Sequence, residues 1–176
     1  VGDVIAVLPF GNSIAQIQVT GAQVKEMFEM SVRSIPQKDE NGTILLDDAG
    51  QPKLGANGGF LHVSSSIRIH YDSTKPGTRL ASDEGNETGQ TIVGSRVLGI
   101  EIKNRQTQKF EPLDEKKQYR MATNDFLAAG GDGYDMLGGE REEGISLDAV
   151  LIEYLKSATS LRLYRAATTI DLAQYK

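Results

Sequence analysis

The stretch Met121–Met136 reads MATNDFLAAGGDGYDM and decides how the rest of the chain is understood. It continues a strand-like run, QYRMATND (118–125), into a small-residue segment, a double glycine and an aspartate held between glycines. A strand that ends in such a turn either reverses the chain or forms the wall of a pocket. Gly130 and Gly131 can adopt positive φ and let a ligand approach the backbone with no Cβ in the way. Asp132 offers two acceptor oxygens to vicinal hydroxyls such as those of a ribose. Phe126, if it leaves the strand facing solvent, is a stacking platform worth about 1–3 kcal/mol per base. In the alternative, Phe126 belongs to the core, the glycines only turn the chain and Asp132 caps a helix. The residues alone leave both readings open.

Composition narrows the class around this motif. A chain of 176 residues with 39 % apolar content can bury one core, so residues 1–176 read as one domain. The net charge is −5 and the cations are scattered, which argues against a nucleic-acid polymer as partner and leaves a single nucleotide possible. The absence of cysteine excludes a disulfide scaffold, a thiolate metal site and a cysteine nucleophile. No apolar run approaches the roughly 20 residues that span a bilayer. The opening VGDVIAVLPF starts in mid-pattern without an initiator Met, which reads as a piece excised from a longer protein.

Working outward, AVLPFGN (6–12) is a short apolar run broken by Pro9 and a Gly-Asn turn, and IAQIQVTG (14–21) reads as a strand. Thr20 can cap a helix running to about Val32, with Val24, Met27, Phe28 and Ser31 on one face. Residues 36–57 are mostly polar around the apolar triplet Ile44, Leu45 and Leu46, which predicts a surface hairpin insertion. FLHVSSSIRIHYD (60–72) reads as a strand with Ile67, Ile69 and Tyr71 on one face, followed by a loop to Gln90. SRVLGIEIKN (95–104) alternates Leu98, Ile100 and Ile102 against Val97, Gly99, Glu101 and Lys103. A helix from Ser146 or Leu147 to about Lys156 turns Leu147, Val150, Leu151, Tyr154 and Leu155 inward, and LRLYRAATTIDL (161–172) closes the chain extended. Strands outnumber helices without regular alternation, which predicts an α+β fold with a mixed β-sheet and packed helices.

Catalytic chemistry is thinly supplied. His62 and His70 lack metal-ligand spacing, Ser64–Ser66 have no nucleophile elbow, and the GGDG segment has neither the lysine of a phosphate loop nor the strand–glycine–helix spacing of a dinucleotide fingerprint. The acidic residues Asp39, Asp47 and Asp48 lack the spacing of a calcium loop. No catalytic or metal-ligating residue is assigned to this chain.

ATNDFLAAGGDGY (122–134) closely resembles the signature of the C-terminal domain of 5′-nucleotidases, a family that also includes UDP-sugar hydrolases and 2′,3′-cyclic-nucleotide phosphodiesterases. GDVIAVLPFGNSIAQIQVTGAQVKEMFEMSV (2–32) and GGFLHVSSSIRIHYDSTKPG (58–77) resemble two further blocks of that domain, in family order. The resemblance implies a nucleoside-binding domain whose base is clamped by Phe10 and Phe126, with Asn12 at the base edge, Gly131 in the turn and Asp132 accepting from the ribose hydroxyls. Phe60 and Tyr134 fall in family blocks but are assigned to packing. It further implies an N-terminal metallophosphoesterase domain outside this chain that holds two divalent metal ions and performs the hydrolysis, so the piece alone is expected to be inactive. An Arg-bearing segment of the family, GGIR-like, would lie upstream of Val1. The family places such enzymes outside the cytoplasm, as secreted, periplasmic or surface-associated proteins. Two other readings fit the same residues: a surface or adhesion module that kept the fold and lost the ligand, and a related phosphoesterase acting on UDP-sugars, NAD or 2′,3′-cyclic nucleotides.

Overall fold

A computed structural model describes residues 2–33, 36–50, 53–55, 57–83, 86–157 and 169–171. In chain order its elements are α1 (Gly2–Val7), β1 (Ser13–Thr20), α2 (Gly21–Ser31), β2 (Ile67–Tyr71), β3 (Arg79–Asp83), β4 (Asn86–Ile92), β5 (Val97–Lys103), β6 (Phe110–Pro112), β7 (Gln118–Asn124), α3 (Asp125–Ala128), β8 (Arg141–Ser146), α4 (Leu147–Ser157) and β9 (Thr169–Asp171). They form two compact units: residues 1–27 with 114–165, and residues 28–113 with 166–176. The fold is α+β, as the sequence predicts.

The first unit is built on a three-stranded antiparallel sheet in the order β7–β1–β8. Strand β1 alternates strictly, with Ala15, Ile17 and Val19 buried and Gln16 and Gln18 exposed. That is the period-2 pattern of a strand with one dry face. Ala128, Tyr134 and Leu137 join Val24 and Met27 of α2 among the buried residues of this unit. The capping of α2 follows the sequence: Thr20 Oγ1 accepts from the Gln23 N–H, and Gln23 Oε1 accepts from the Thr20 N–H. Gly21 is required there, because a Cβ would overlap the Asp114 carbonyl and lie 2.7 Å from the Glu115 Cα. Gln23 Nε2 also donates to the Met136 carbonyl (2.9 Å), which ties the start of α2 to the turn after the glycine motif.

The second unit carries a four-stranded sheet in the order β6–β5–β2–β9. Its β2–β5 and β5–β6 pairs are antiparallel and its β2–β9 pair is parallel, so the sheet is mixed. Phe28, Met30, Val32, Ile69, Val97 and Ile100 supply its buried apolar residues. Glu29, only 3 % exposed, accepts from the backbone N–H of Arg96 through Oε2 (3.0 Å) and of Val97 through Oε1 (2.8 Å). Both of its oxygens are therefore committed, which is how a buried carboxylate is tolerated.

Several expectations are corrected in detail. Residues 2–7 form a helical turn and a half that takes in Ala6 and Val7, the start of the apolar run expected over residues 6–12; six residues are too few to display a helical period. The strand predicted from Phe60 begins only at Ile67, because the Ser64 carbonyl and hydroxyl engage the next turn, with Ile67 N–H donating to Ser64 O (3.1 Å). The predicted loop to Gln90 contains the β3–β4 hairpin, which is held by backbone pairing and has no apolar alternation to announce it. In β5 the alternation breaks at a bulge: Gly99 pairs with His70 and Val97 with Tyr71, leaving Leu98 out of register and 48 % exposed while Val97 and Ile100 are buried. On α4, Tyr154 and Leu155 are exposed rather than inward. The insertion is a surface feature, with Pro36 paired to Leu54 and Lys38 to Ile44, and its leucines and Ile44 exposed. Of the extended tail, residues 161–168 and 172 lie outside the described residues, and 169–171 form β9.

Candidate functional site

All five residues singled out from the sequence lie in the first unit. The antiparallel β1–β7 ladder sets Ile14 opposite Asn124, so the chain entering β1 and the chain leaving β7 emerge at one end of the sheet. The β1–β8 ladder sets Ser13 opposite Ser146, which brings the start of α4 to the same end. Three hydrogen bonds fix these segments. Asp125 Oδ1 accepts from the Ser13 N–H (3.1 Å), the Asn12 carbonyl accepts from the Leu147 N–H (2.9 Å), and Asn124 Oδ1 caps α3 by accepting from the Leu127 N–H (2.7 Å). Asn124 and Asp125 are thus the residues that aim Phe126, the first by starting a helical turn and the second by tying it to the loop before β1.

Phe126 is 49 % exposed and does not belong to the core. A Cβ placed on Gly131 would lie 2.5 Å from Cε1 and Cζ of the Phe126 ring, so the ring rests directly against the Gly131 backbone. One side of the aromatic is supported and much of the remainder faces solvent. Gly130 has φ +92° and Gly133 φ +81°, both left-handed, but Gly131 does not. The expectation of positive φ at Gly131 is corrected: glycine is needed there for the aromatic contact, and the reversal is made by its neighbours. Asp132 itself sits at φ +56°, a region aspartate tolerates, and is exposed, so it is a surface carboxylate and not the cap of a helix. Tyr134 is 1 % exposed and packs in the core, as assigned from sequence.

Phe10 is 84 % exposed, the most open large apolar side chain among the described residues. It stands in the turn after α1, ahead of Gly11 at φ +66°. Water-facing aromatic area of this size is unfavourable by about 25 cal/mol per Å2 unless something covers it. A shallow cleft beside it is lined by Leu8, Phe10, Gly11, Asn12, Leu147 and Asp148. Asp148 was not singled out from the sequence; as the second residue of a helix it has no motif, and the β1–β8 pairing with the Leu147–Asn12 hydrogen bond carries it to Phe10. The hydroxyl of Ser146 holds the Asp148 carboxyl below its ordinary range, against an opposing effect of desolvation, and the backbone amides of Ala149 and Asp148 add to the lowering. Ser13 Oγ is buried with no hydrogen-bond partner among the described residues, which leaves unsatisfied polar capacity at this strand end.

The remaining sequence candidates are structural. His70 Nε2 lies 3.1 Å from Glu101 Oε2 across the second unit's sheet, and His62 meets Phe60 edge-on at 6.0 Å between ring centres. Ser64 and Ser66 bond each other (2.6 Å). Among the described residues no group of three or more His, Asp or Glu could hold a metal ion, and no helix is long and apolar enough to cross a membrane.

The α+β fold of the chain matches the solved structure of a 5′-nucleotidase precursor from Thermus thermophilus. That match has a TM-score of 0.62 and 28 % identity over 95 % of this chain and 26 % of the other. The profile described as "5′-nucleotidase, C-terminal domain" matches residues 1–139, and the chain belongs to that family. It is 31 % identical over 136 residues to an NAD 5′-nucleotidase of Haemophilus influenzae, covering 77 % of this chain and 17 % of that protein. It is likewise 31 % identical over 158 residues to a snake venom 5′-nucleotidase of Crotalus adamanteus, covering 88 % of this chain and 21 % of the relative. The chain thus spans about a fifth of the length of these relatives.

Proposed function

We propose that this chain is the nucleoside-binding domain of a metal-dependent 5′-nucleotidase, a hydrolase of nucleotide phosphate esters. Phe10 and Phe126 stack the base, Asn12 meets its edge, Gly131 backs the second ring and Asp132 accepts from the ribose hydroxyls. The observation that carries this reading is the pair of exposed phenylalanines, on segments that leave one end of one sheet and are tied together by the Ser13–Asp125 hydrogen bond. Stacking is tolerant of base identity because every base has a π-face, which suits a hydrolase of several nucleotides. Asn12 can donate or accept, and Asp132 can bridge two hydroxyls because it is exposed and need not be desolvated alone.

The phosphate chemistry and its two divalent ions are assigned to an N-terminal metallophosphoesterase domain. The described residues of this chain do not fit a metal, so no step of hydrolysis is routed through them. Their part is to bind and orient the nucleoside, which converts binding energy into positioning of a distant ester. An extracytoplasmic location accompanies this reading and is supported by a relative that is a venom enzyme. The test is steady-state kinetics of the full-length protein on AMP. Phe126→Ala and Phe10→Ala are each expected to raise KM by about 5- to 150-fold, the equivalent of one stacking contact. A KM within twofold of wild type in both variants would overturn the clamp. NAD is a second substrate to assay, because one relative is an NAD 5′-nucleotidase and the same adenosine end would occupy the clamp.

A further inference from the structure

We propose that Asp148 reads the edge of the stacked base and makes the site prefer bases with an exocyclic amino group over their keto counterparts. The inference rests on the nucleoside-binding reading above. Asp148 and Phe10 line the same cleft, so the ring that would stack a base and the carboxylate that would meet its edge share one depression. The carboxylate is also held in place. Leu147 N–H donates to the Asn12 carbonyl, so the α4 start cannot drift from the Phe10 loop without breaking that bond, and the Ser146 hydroxyl favours the charged form of the carboxylate. The unpartnered hydroxyl of Ser13 lies opposite Ser146 in the ladder, an independent sign that this strand end has polar capacity left for a ligand or its water.

The chemistry gives the direction. Asn12 carries both a donor and an acceptor and can turn its amide to suit either kind of base, so by itself it does not discriminate. An ionised carboxylate only accepts. An amino group at C6 of a purine or C4 of a pyrimidine donates to it, whereas a carbonyl oxygen there places lone pair against lone pair. AMP against IMP and CMP against UMP are matched pairs that differ in this group and in the adjoining ring nitrogen, which carries a hydrogen only in the keto base.

In the full-length protein, kcat/KM is expected to favour AMP over IMP, and CMP over UMP, by roughly tenfold or more, the scale of one hydrogen bond to a charged group. Asp148→Asn, whose amide can turn either way, is expected to bring both ratios to within about threefold of unity, chiefly through KM. Wild-type ratios near unity overturn the proposal without any variant, and so do ratios that Asp148→Asn leaves unchanged. Should that variant fail to fold, equilibrium binding of adenosine against inosine to the wild-type protein reads the same preference. Phe126→Ala separates this inference from the one beneath it, because losing a stacking ring weakens all four nucleotides alike. If that variant weakens all four and the amino preference is absent, only the role of Asp148 falls. If it weakens none, the nucleoside site itself is wrong.

Discussion

Gly131→Ala is the substitution that most directly probes how the site is built. Gly131 is outside the left-handed region, so its backbone accepts alanine, and limiting the unfolded chain would by itself stabilise by about 0.4–1 kcal/mol. The obstacle is Phe126, whose Cε1 and Cζ would stand 2.5 Å from the new methyl. Carbon atoms rest about 3.5–4.0 Å apart, so the ring must retreat by about 1 Å or more. A ring held to its old place off-rotamer would be strained by about 0.5–1.5 kcal/mol, and a ring that swings away no longer presents its face. Either way the stacking contribution of about 1–3 kcal/mol is lost in large part, which corresponds to a KM raised by about 5- to 150-fold. Because Phe126 is half exposed, its displacement opens no core cavity, and the melting temperature should stay close to wild type. The decisive assay is a double-mutant cycle on AMP hydrolysis by the full-length protein. If Gly131→Ala acts through the ring, it adds nothing to Phe126→Ala. A Gly131→Ala protein with wild-type KM, or one whose effect is additive with loss of the ring, would refute the reasoning.

Other outcomes follow from single observations. Glu29→Gln turns one acceptor into a donor facing the N–H of Arg96 or Val97 and should lower stability by about 1–3 kcal/mol, read as a shift in urea midpoint with the nucleotide KM unaffected. Asp148 titrates below its ordinary range because the Ser146 hydroxyl donates to its charged form, so this group's contribution is complete above the unfolded-state pKa and fades as pH falls through the folded one. Ser146→Ala should therefore move the Asp148 titration upward, followed by carboxyl carbon NMR; an unmoved titration would show that the hydroxyl is not its partner. Replacing residues 37–53 by an Asn-Gly turn should change stability by less than about 1 kcal/mol and leave KM unchanged, because the described residues of the segment are exposed and its ends are already paired at Pro36 and Leu54.

Much of the architecture is written locally. The alternation of Ala15, Ile17 and Val19, the Thr20–Gln23 cap, the strand through Gln118–Asn124 and the start of α4 each rest on a few consecutive residues and could be read from them. What escaped the sequence has a common cause, since it depends on partners remote in the chain or on backbone pairing alone. The β3–β4 hairpin is held by main-chain bonds, and the bulge that turns Leu98 outward exists only against His70 and Tyr71.

The glycine motif divides in the same way. Its composition determined that a turn follows β7 and that an aromatic, an acceptor carboxylate and glycines share it. Whether Phe126 is buried or exposed was not decidable from the sequence, because burial depends on what packs against the ring. The tertiary structure decided it: the ring rests on Gly131, the backbone reverses at Gly130 and Gly133, and the Ser13–Asp125 bond fixes the turn beside the Phe10 loop. Asp148 is a stronger instance of the same limit. Nothing in LDAV marks it out, and the ladder pairing of Ser13 with Ser146 and the Leu147–Asn12 bond carry Asp148, 138 positions along the chain from Phe10, into the same cleft. Local propensity is a property of neighbours in sequence, whereas a site is a property of neighbours in space.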